Sequence, residues 1–257
     1  MMCDVVPRSA WPFLDHPGPL AFAHRGAGGW PENTMAAFEA AVRLGYRYIE
    51  TDVQVTADGV LVTFHDDRLD RLTDRSGRLA ELPYAEVRRA RVAGQEPIPT
   101  LEEVLGTWPE LRVNVEPKHD ACVEPLAEAI RRTSSLHRVC VGSFSDRRTA
   151  RVRRLLGPDL CTALGPWGVA WLRAASWAPL PGRSPAACAQ VPLDFRGLSL
   201  VDARFLRAAH WRGLQVHVWT VDDAAQMEAL LDLGVDGVMT DRPEVLKAVL
   251  EGRGLWV

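Results

Sequence analysis

The sequence predicts an α/β fold, a (β/α)8 TIM barrel with a small insertion after a hairpin near residue 66. Three observations carry that reading. Short apolar, β-prone runs alternate with helical patterns along most of the 257 residues, and strand–helix alternation means a parallel sheet covered on both faces. Eight such units in about 250 residues favour a closed barrel over an open sheet. No Gly-x-Gly-x-x-Gly follows a strand, and Ala27-Gly28-Gly29 lacks that spacing, so a dinucleotide-binding sheet loses support.

Taken in order, Leu20–Ala23 is the first strand. Met35, Phe38 and Val42 then share one helix face, with Asn33 or Thr34 as cap. Arg47–Val53 is the second strand. Val60–Phe64 returns beside it across the turn Ala57-Asp58-Gly59. Residues 67–97, rich in Arg and Asp, read as a cap-like excursion within a single domain spanning 1–257. Leu111–Val115, Val139–Val141, Leu160–Ala163, Cys188–Val191, Leu214–Trp219 and Val235–Met239 continue the strands. Residues 165–185, with several prolines and Trp167, Trp171 and Trp177, read as irregular. Trp167 and Trp171, four apart, would share one face of a helical turn there, either bordering the barrel mouth or packing onto the barrel. Met227, Leu230 and Leu231 mark a helix that starts at Asp222 or Asp223. Pro243 fits the first turn of a last helix through Leu250.

Composition narrows the class. Hydrophobic residues make up 47% and charged residues 25%, enough apolar surface to offset chain entropy. Thirty basic against 33 acidic residues leave a net charge of −3, which argues against a nucleic-acid partner. Cysteines stand at 3, 122, 140, 161 and 188 without a Cys-x-x-Cys. That pattern fits a reducing compartment better than a disulfide framework or zinc knuckle. Met1 to Ala10 lacks an apolar core for a signal peptide. Every long apolar run is cut by Pro, Gly or charge, so no transmembrane segment is predicted. The expectation is a cytoplasmic protein, with peripheral membrane contact left open.

In a barrel of this type, chemistry gathers at the C-terminal strand ends. His24 and Arg25 follow the first strand, and Glu50 and Asp52 lie near the end of the second. His65 ends the hairpin's return, Glu116 and Lys118 follow Leu111–Val115, and Trp219 ends Leu214–Trp219. Residues i and i+2 of a strand face one side, so Glu50 and Asp52 point together. With Glu116, three carboxylates would repel in a low-dielectric mouth unless a cation neutralised them. Hard oxygen ligands without a thiol suit one divalent cation, Mg²⁺ or Ca²⁺. Arg25 and Lys118 beside that cation would suit a phosphate. His24 and His65 can divide general acid and general base work near neutral pH. His16, His119, His137, His210 and His217 read as structural. Asp241, Arg242 and Pro243 read as a turn and cap without a chemical role.

These residues fall in ordered motifs. His24-Arg25-Gly26 with Pro31-Glu32-Asn33-Thr34, Glu50-Thr51-Asp52-Val53, and His65-Asp66 with Leu69-Asp70-Arg71-Leu72-Thr73 and Ser76-Gly77 come first. Ile98-Pro99-Thr100-Leu101, Val115-Glu116-Pro117-Lys118, Ser143-Phe144 and Val218-Trp219-Thr220-Val221 follow. Gly234-Val235-Asp236-Gly237 and Thr240-Asp241-Arg242-Pro243 close the series. The set, running from about residue 20 to 250, resembles the glycerophosphodiester phosphodiesterase family. The resemblance implies a (β/α)8 barrel and metal-dependent hydrolysis of a glycerophosphodiester to glycerol 3-phosphate and an alcohol. Carried over, Glu50, Asp52 and Glu116 match the metal ligands, and His24 and His65 the acid–base pair. Arg25 and Lys118 match the phosphate contacts, and Trp219 an aromatic beside the glycerol moiety. Phe64 before His65, and Pro117 between Glu116 and Lys118, depart mildly from the family pattern. Two other readings compete: a lysophospholipase D-like enzyme acting on lysophospholipids, and a catalytically silent barrel that binds a phosphate ligand.

Overall fold

The structure is a computed structural model, and it describes residues 11–257 except 179, 183 and 196. The strands are β1 (Leu20–His24), β2 (Tyr48–Val55), β3 (Leu61–Thr63), β4 (Arg91–Val92), β5 (Glu96–Pro97) and β6 (Arg112–Pro117). They continue as β7 (Val139–Val141), β8 (Cys161–Thr162), β9 (Cys188–Pro192), β10 (Asp194–Phe195), β11 (Leu198–Ser199), β12 (Gln215–Trp219) and β13 (Gly237–Thr240). The helices are α1 (Met35–Arg43), α2 (Tyr84–Val87), α3 (Leu101–Thr107), α4 (Val123–Arg132) and α5 (Asp146–Leu156). After them come α6 (Pro166–Ala175), α7 (Ala203–His210), α8 (Ala224–Leu233) and α9 (Pro243–Gly252).

The main sheet runs β8-β7-β6-β2-β1-β13-β12-β9, all parallel, with β3 antiparallel on β2. A parallel bridge between Ala163 and Cys188 joins its two ends, giving a nearly closed barrel of eight strands with helices between them. The predicted fold class is therefore the observed one. The barrel interior is filled by Phe22, Tyr48, Cys140, Cys161, Cys188 and Met239, with Phe13 plugging the N-terminal end. Tyr48 donates its hydroxyl to the Phe13 carbonyl at 2.9 Å. A larger shell, including Phe38, Leu101, Leu126, Phe205 and Leu246, packs the helices onto the outside of the strands. Among the described residues the four cysteines are free, buried thiols. No helix among them is long and apolar enough to cross a membrane.

Local signals account for several boundaries. Thr34 caps α1 by accepting from Ala37 N, and Asp223 caps α8 by accepting from Gln226 N. Pro243 occupies the first turn of α9. Between residues 67 and 97 lie a 3-10 turn, α2 and the β4–β5 ribbon, around a cluster of Phe64, Leu69, Leu79, Val87, Ala90 and Val92. Two readings need correction. The stretch 165–185 is not irregular throughout, because Pro166 opens the helix α6. The N-terminal position suits proline, whose missing N–H would be unsatisfied there anyway. Within α6, Trp167 is 80% exposed, whereas Trp171 is half-buried against the outer core, so the two do not share an environment.

Candidate active site

Neighbouring strands set the site. In the sheet register His24 pairs with Glu50 across β1 and β2, and Asp52 pairs with Glu116 across β2 and β6. Asp241 follows β13, the other neighbour of β1. The loop after β1 turns sharply, with positive φ at Arg25 (57°), Gly26 (99°) and Asn33 (58°). A Cβ on Gly26 would stand 2.6 Å from that of Ala37, so the turn can close on α1 only with glycine there. A Cβ on Gly28 would stand 2.5 Å from the Asp241 carbonyl oxygen, so the loops after β1 and β13 pack closely there.

The acidic cluster is buried and only partly neutralised. Lys118 Nζ lies 2.7 Å from Asp52 Oδ1 and 2.8 Å from Glu116 Oε2. Arg25 Nε lies 3.1 Å from Asp52 Oδ2 as an ion pair poorly aligned for a hydrogen bond. Asn33 Nδ2 donates to the same oxygen at 3.2 Å, and Thr51 Oγ1 donates to Asn33 Oδ1 at 2.7 Å. Burial would raise the Asp52 carboxyl, but Lys118 and Arg25 hold it below the usual carboxylate range. Glu50 has no such partner. Burial, and then the charge of Asp52, pushes its carboxyl up to about 8. Its Oε2 is buried without a hydrogen bond.

Each histidine is held by a carboxylate. His24 donates Nδ1–H to Asp241 Oδ1 at 2.6 Å, and its Nε2 lies 3.6 Å from Glu50 Oε2. Burial alone would lower the His24 imidazole, but Glu50 and Asp241 hold it above its ordinary value. Asp241 is itself fixed by its backbone N–H, which donates to Asp222 Oδ1 at 2.8 Å. His65 donates Nδ1–H to Asp66 Oδ1 at 2.7 Å. Arg71 grips both Asp66 oxygens at 2.6 and 2.9 Å, and this pairing, with the His65 bond, draws that carboxyl down to about 2. Glu32 joins Arg71 to Arg25 at 3.3 and 3.2 Å. Trp219, at the end of β12, meets the ring of Phe144 edge-on at 5.7 Å.

Six of the eight residues predicted for the site lie at strand ends or just beyond them, while Glu50 and Asp52 lie within β2, level with the ends of its neighbours β1 and β6. His24, Arg25, Glu50, Asp52, Glu116 and Lys118 form one connected group, while His65 joins the same network through Asp66, Arg71 and Glu32. His217 is buried inside the barrel, where Nε2 meets Gln215 Oε1 at 3.1 Å. The sequence reads Asp241 as part of a turn and cap; in the fold it holds His24 instead, and the cap position of α9 makes no side-chain bond. Asn33, Glu32, Asp66 and Asp222 also carry site contacts that strand-end reasoning misses. The first three stand inside the motifs, which was the available signal.

Among the described residues, no three His, Cys, Asp or Glu side chains are disposed as a metal cage, and Lys118 bridges two of the carboxylates. Glu50, Asp52 and Glu116 nonetheless offer the hard oxygen donors a divalent cation takes, and Glu50 Oε2 is buried without a hydrogen bond.

A parallel barrel with acids, bases and cations converging on its C-terminal mouth defines an α/β-barrel hydrolase equipped for an anionic substrate. Comparisons make that class specific. Residues 24–245 match the Glycerophosphoryl diester phosphodiesterase family. A relative from Mycobacterium tuberculosis, named "Probable glycerophosphodiester phosphodiesterase 2", is 41% identical over 254 residues, 95% of each chain. A glycerophosphodiester phosphodiesterase from Caldanaerobacter subterraneus is 32% identical over 88% of this chain and 96% of its own. An Oleispira antarctica phosphodiesterase, solved with the product sn-glycerol-3-phosphate, superposes with a TM-score of 0.76. It shares 25% identity over 91% of this chain and 97% of its own. The chain belongs to the glycerophosphoryl diester phosphodiesterase family, and it is an enzyme, a hydrolase of phosphoric diesters.

Proposed function

We propose that the chain hydrolyses a soluble glycerophosphodiester to glycerol 3-phosphate and an alcohol by two-histidine acid–base catalysis at this mouth. The observation that carries the reading is that His24 and His65 are each anchored through Nδ1 on a carboxylate beside the Glu50, Asp52 and Glu116 cluster. Anchoring Nδ1 fixes the tautomer and leaves Nε2 as the nitrogen for proton transfer.

Arg25 and Lys118 attract the phosphate and balance its charge. One histidine takes the proton from the attacking oxygen, of water or of the substrate's own glycerol hydroxyl, as it bonds phosphorus, and the other gives a proton to the alkoxide as its P–O bond breaks; after attack by the hydroxyl, water opens the cyclic phosphate so formed. Asp241 and Asp66 hold the imidazoles in place and stabilise them when charged. Trp219 gives the glycerol end an apolar wall against which to orient. Glu50, Asp52 and Glu116 would hold one divalent cation, Mg²⁺ or Ca²⁺, in keeping with the family's general dependence on such metals. When bound, the cation supplies Lewis-acid stabilisation of the phosphoryl oxygens. Lys118 balances Asp52 and Glu116, while Glu50 faces His24 and has no Lys or Arg beside it.

The test is a glycerol 3-phosphate-coupled assay on glycerophosphocholine, glycerophosphoethanolamine and glycerophosphoglycerol, with release of the head-group alcohol followed for lysophospholipids, each with and without EDTA. Release of glycerol 3-phosphate that EDTA abolishes supports the reading; turnover unchanged in a metal-stripped sample overturns its metal-dependent form. The exposed Phe144 against Trp219 favours a second reading, in which the mouth also accepts the acyl chain of a lysophospholipid.

A further inference from the structure

Charge is distributed unevenly along the chain. Residues 160–193 and 203–221 contain no Asp or Glu, although the whole chain has 33 acidic residues. These stretches carry Arg173, Arg204, Arg207 and Arg212. In the fold they sit on α6 (Arg173), on α7 (Arg204 and Arg207) and just after α7 (Arg212). Between them runs a groove of about 580 Å³, lined among others by Trp177, Leu180, Arg204, Arg207, Trp211 and Arg212. None of these residues belongs to the hydrolytic site.

The groove is built from indoles and guanidinium groups. Trp177 and Trp211 are 65% and 81% exposed. The Arg204 guanidinium lies 4.2 Å from the Trp177 ring centroid, and that of Arg212 lies 5.0 Å from both Trp171 and Trp211. A guanidinium resting on an aromatic face keeps its in-plane N–H groups available to anionic oxygens. Arg173 is paired with Asp202, and Arg212 already donates to the Ala208 and Leu180 carbonyls. Arg204 and Arg207 are exposed and, among the described residues, have no carboxylate partner.

We propose that this groove docks the enzyme on an anionic phospholipid bilayer, with Trp177 and Trp211 at headgroup level and Arg204 and Arg207 against lipid phosphates. Two properties select that occupant. Indoles with exposed edges favour the membrane–water interface, and unpaired arginines are drawn to the negative surface of an anionic leaflet. The groove wall has few other polar side chains, which suits a phosphate-rich surface rather than the varied hydrogen bonds of a peptide. Because α6 starts just after the C-terminal end of β8, its last turn lies away from the barrel mouth. Docking through it leaves the mouth open to soluble substrate.

Vesicle sedimentation tests the proposal directly, without reference to turnover. The full chain should bind phosphatidylcholine vesicles weakly and those containing one quarter phosphatidylglycerol at least tenfold better, with the gain lost in high salt. Arg204→Glu/Arg207→Glu should remove that gain. Trp177→Ser/Trp211→Ser should weaken binding to both vesicle types. Circular dichroism should show each variant folded, and glycerophosphocholine hydrolysis should be unchanged. Equal partition onto neutral and anionic vesicles would overturn the proposal, as would undiminished binding by the arginine variant. Loss of binding in Trp167→Ser alone would move the contact to the mouth and overturn it too. A dimer in light scattering that Trp211→Ser dissociates would assign the face to a second copy instead.

Discussion

Nδ1 of His24 lies 2.6 Å from Oδ1 of Asp241, 217 residues away in the chain. Asp241 is held in turn by Asp222, so the imidazole is positioned from β13 as well as from its own strand. Asp241→Ala removes the anchor without opening a core cavity. It should lower kcat by roughly 10²-fold, the scale of a mispositioned acid–base group, and leave KM and melting temperature nearly unchanged. Steady-state kinetics beside a thermal melt decide it; a rise in KM at constant kcat would place Asp241 in substrate binding instead.

Direct loss of either imidazole should cost more than loss of its anchor. His24→Ala and His65→Ala are each expected to reduce kcat by roughly 10²–10⁴-fold with the fold retained. His65→Ala that keeps most of its kcat would remove that residue from the proton transfers.

If Glu50 is a metal ligand as proposed, metal binding and stability are linked through it. Its Oε2 is buried without a hydrogen bond, and Lys118 neutralises only its neighbours. A divalent cation at one hundred times its dissociation constant stabilises the fold by about 2.7 kcal/mol. For a chain of this size that raises the melting temperature by about 5 °C or more. The shift should appear on adding Mg²⁺ or Ca²⁺ to EDTA-treated protein and vanish in Glu50→Ala. Calorimetry showing the same rise in Glu50→Ala would place the cation elsewhere.

The sequence made the strand ends legible because polar residues interrupt apolar runs there. His24, Glu50, Asp52, Glu116 and Lys118 follow from that pattern and from the two-residue period of a strand. What it hid are contacts set by the barrel's closure. Asp241 meets His24 only because β13 pairs with β1. Lys118 was placed beside the third carboxylate, but its reach to Asp52 depends on the register of β6 on β2. Asn33 is one of two cap candidates in the sequence; the backbone turns there with positive φ, Thr34 takes the cap, and Asn33 is released to bond Asp52. Strand lengths shifted for a similar reason. β2 runs on to Val55, past the predicted Val53, because β3, the return strand the hairpin turn predicts, pairs with it as far as that residue.

The His210–Asp236 pair, 2.7 Å apart outside the site, gives a pH signature. The hydrogen bond to Asp236 outweighs burial and raises the His210 imidazole above its ordinary value. A raised folded-state pKa means the stabilising contribution is complete below the unfolded value, about 6.5. It fades as pH rises through the folded value. His210→Ala should therefore lower the melting temperature more at pH 5.5 than at pH 9. Because the pair is half-exposed, the difference should stay small. Turnover should match the parent enzyme at both pH values, and an equal loss of stability at both would refute the linkage.

The two tryptophans of α6 should respond differently from each other. Trp167 is 80% exposed at the helix start, so Trp167→Ala should leave the melting temperature within about a degree, as surface substitutions do. Trp171 is half-buried against the outer core and lies over Arg212, so Trp171→Ala should cost about 2 kcal/mol, less than a fully buried aromatic. Neither change alone should discriminate between substrates if the acyl-accepting wall is Phe144 with Trp219. Phe144→Ala is the variant that should. A lysophospholipid brings an acyl chain that glycerophosphocholine lacks, and the exposed Phe144 ring offers it apolar surface at the mouth. Its removal should raise KM for lysophospholipid about tenfold, the value of one lost apolar contact patch, while leaving KM for glycerophosphocholine within about twofold. If both KM values rise together, Phe144 serves the glycerol end that the substrates share, and the case for a lysophospholipid substrate loses its structural basis.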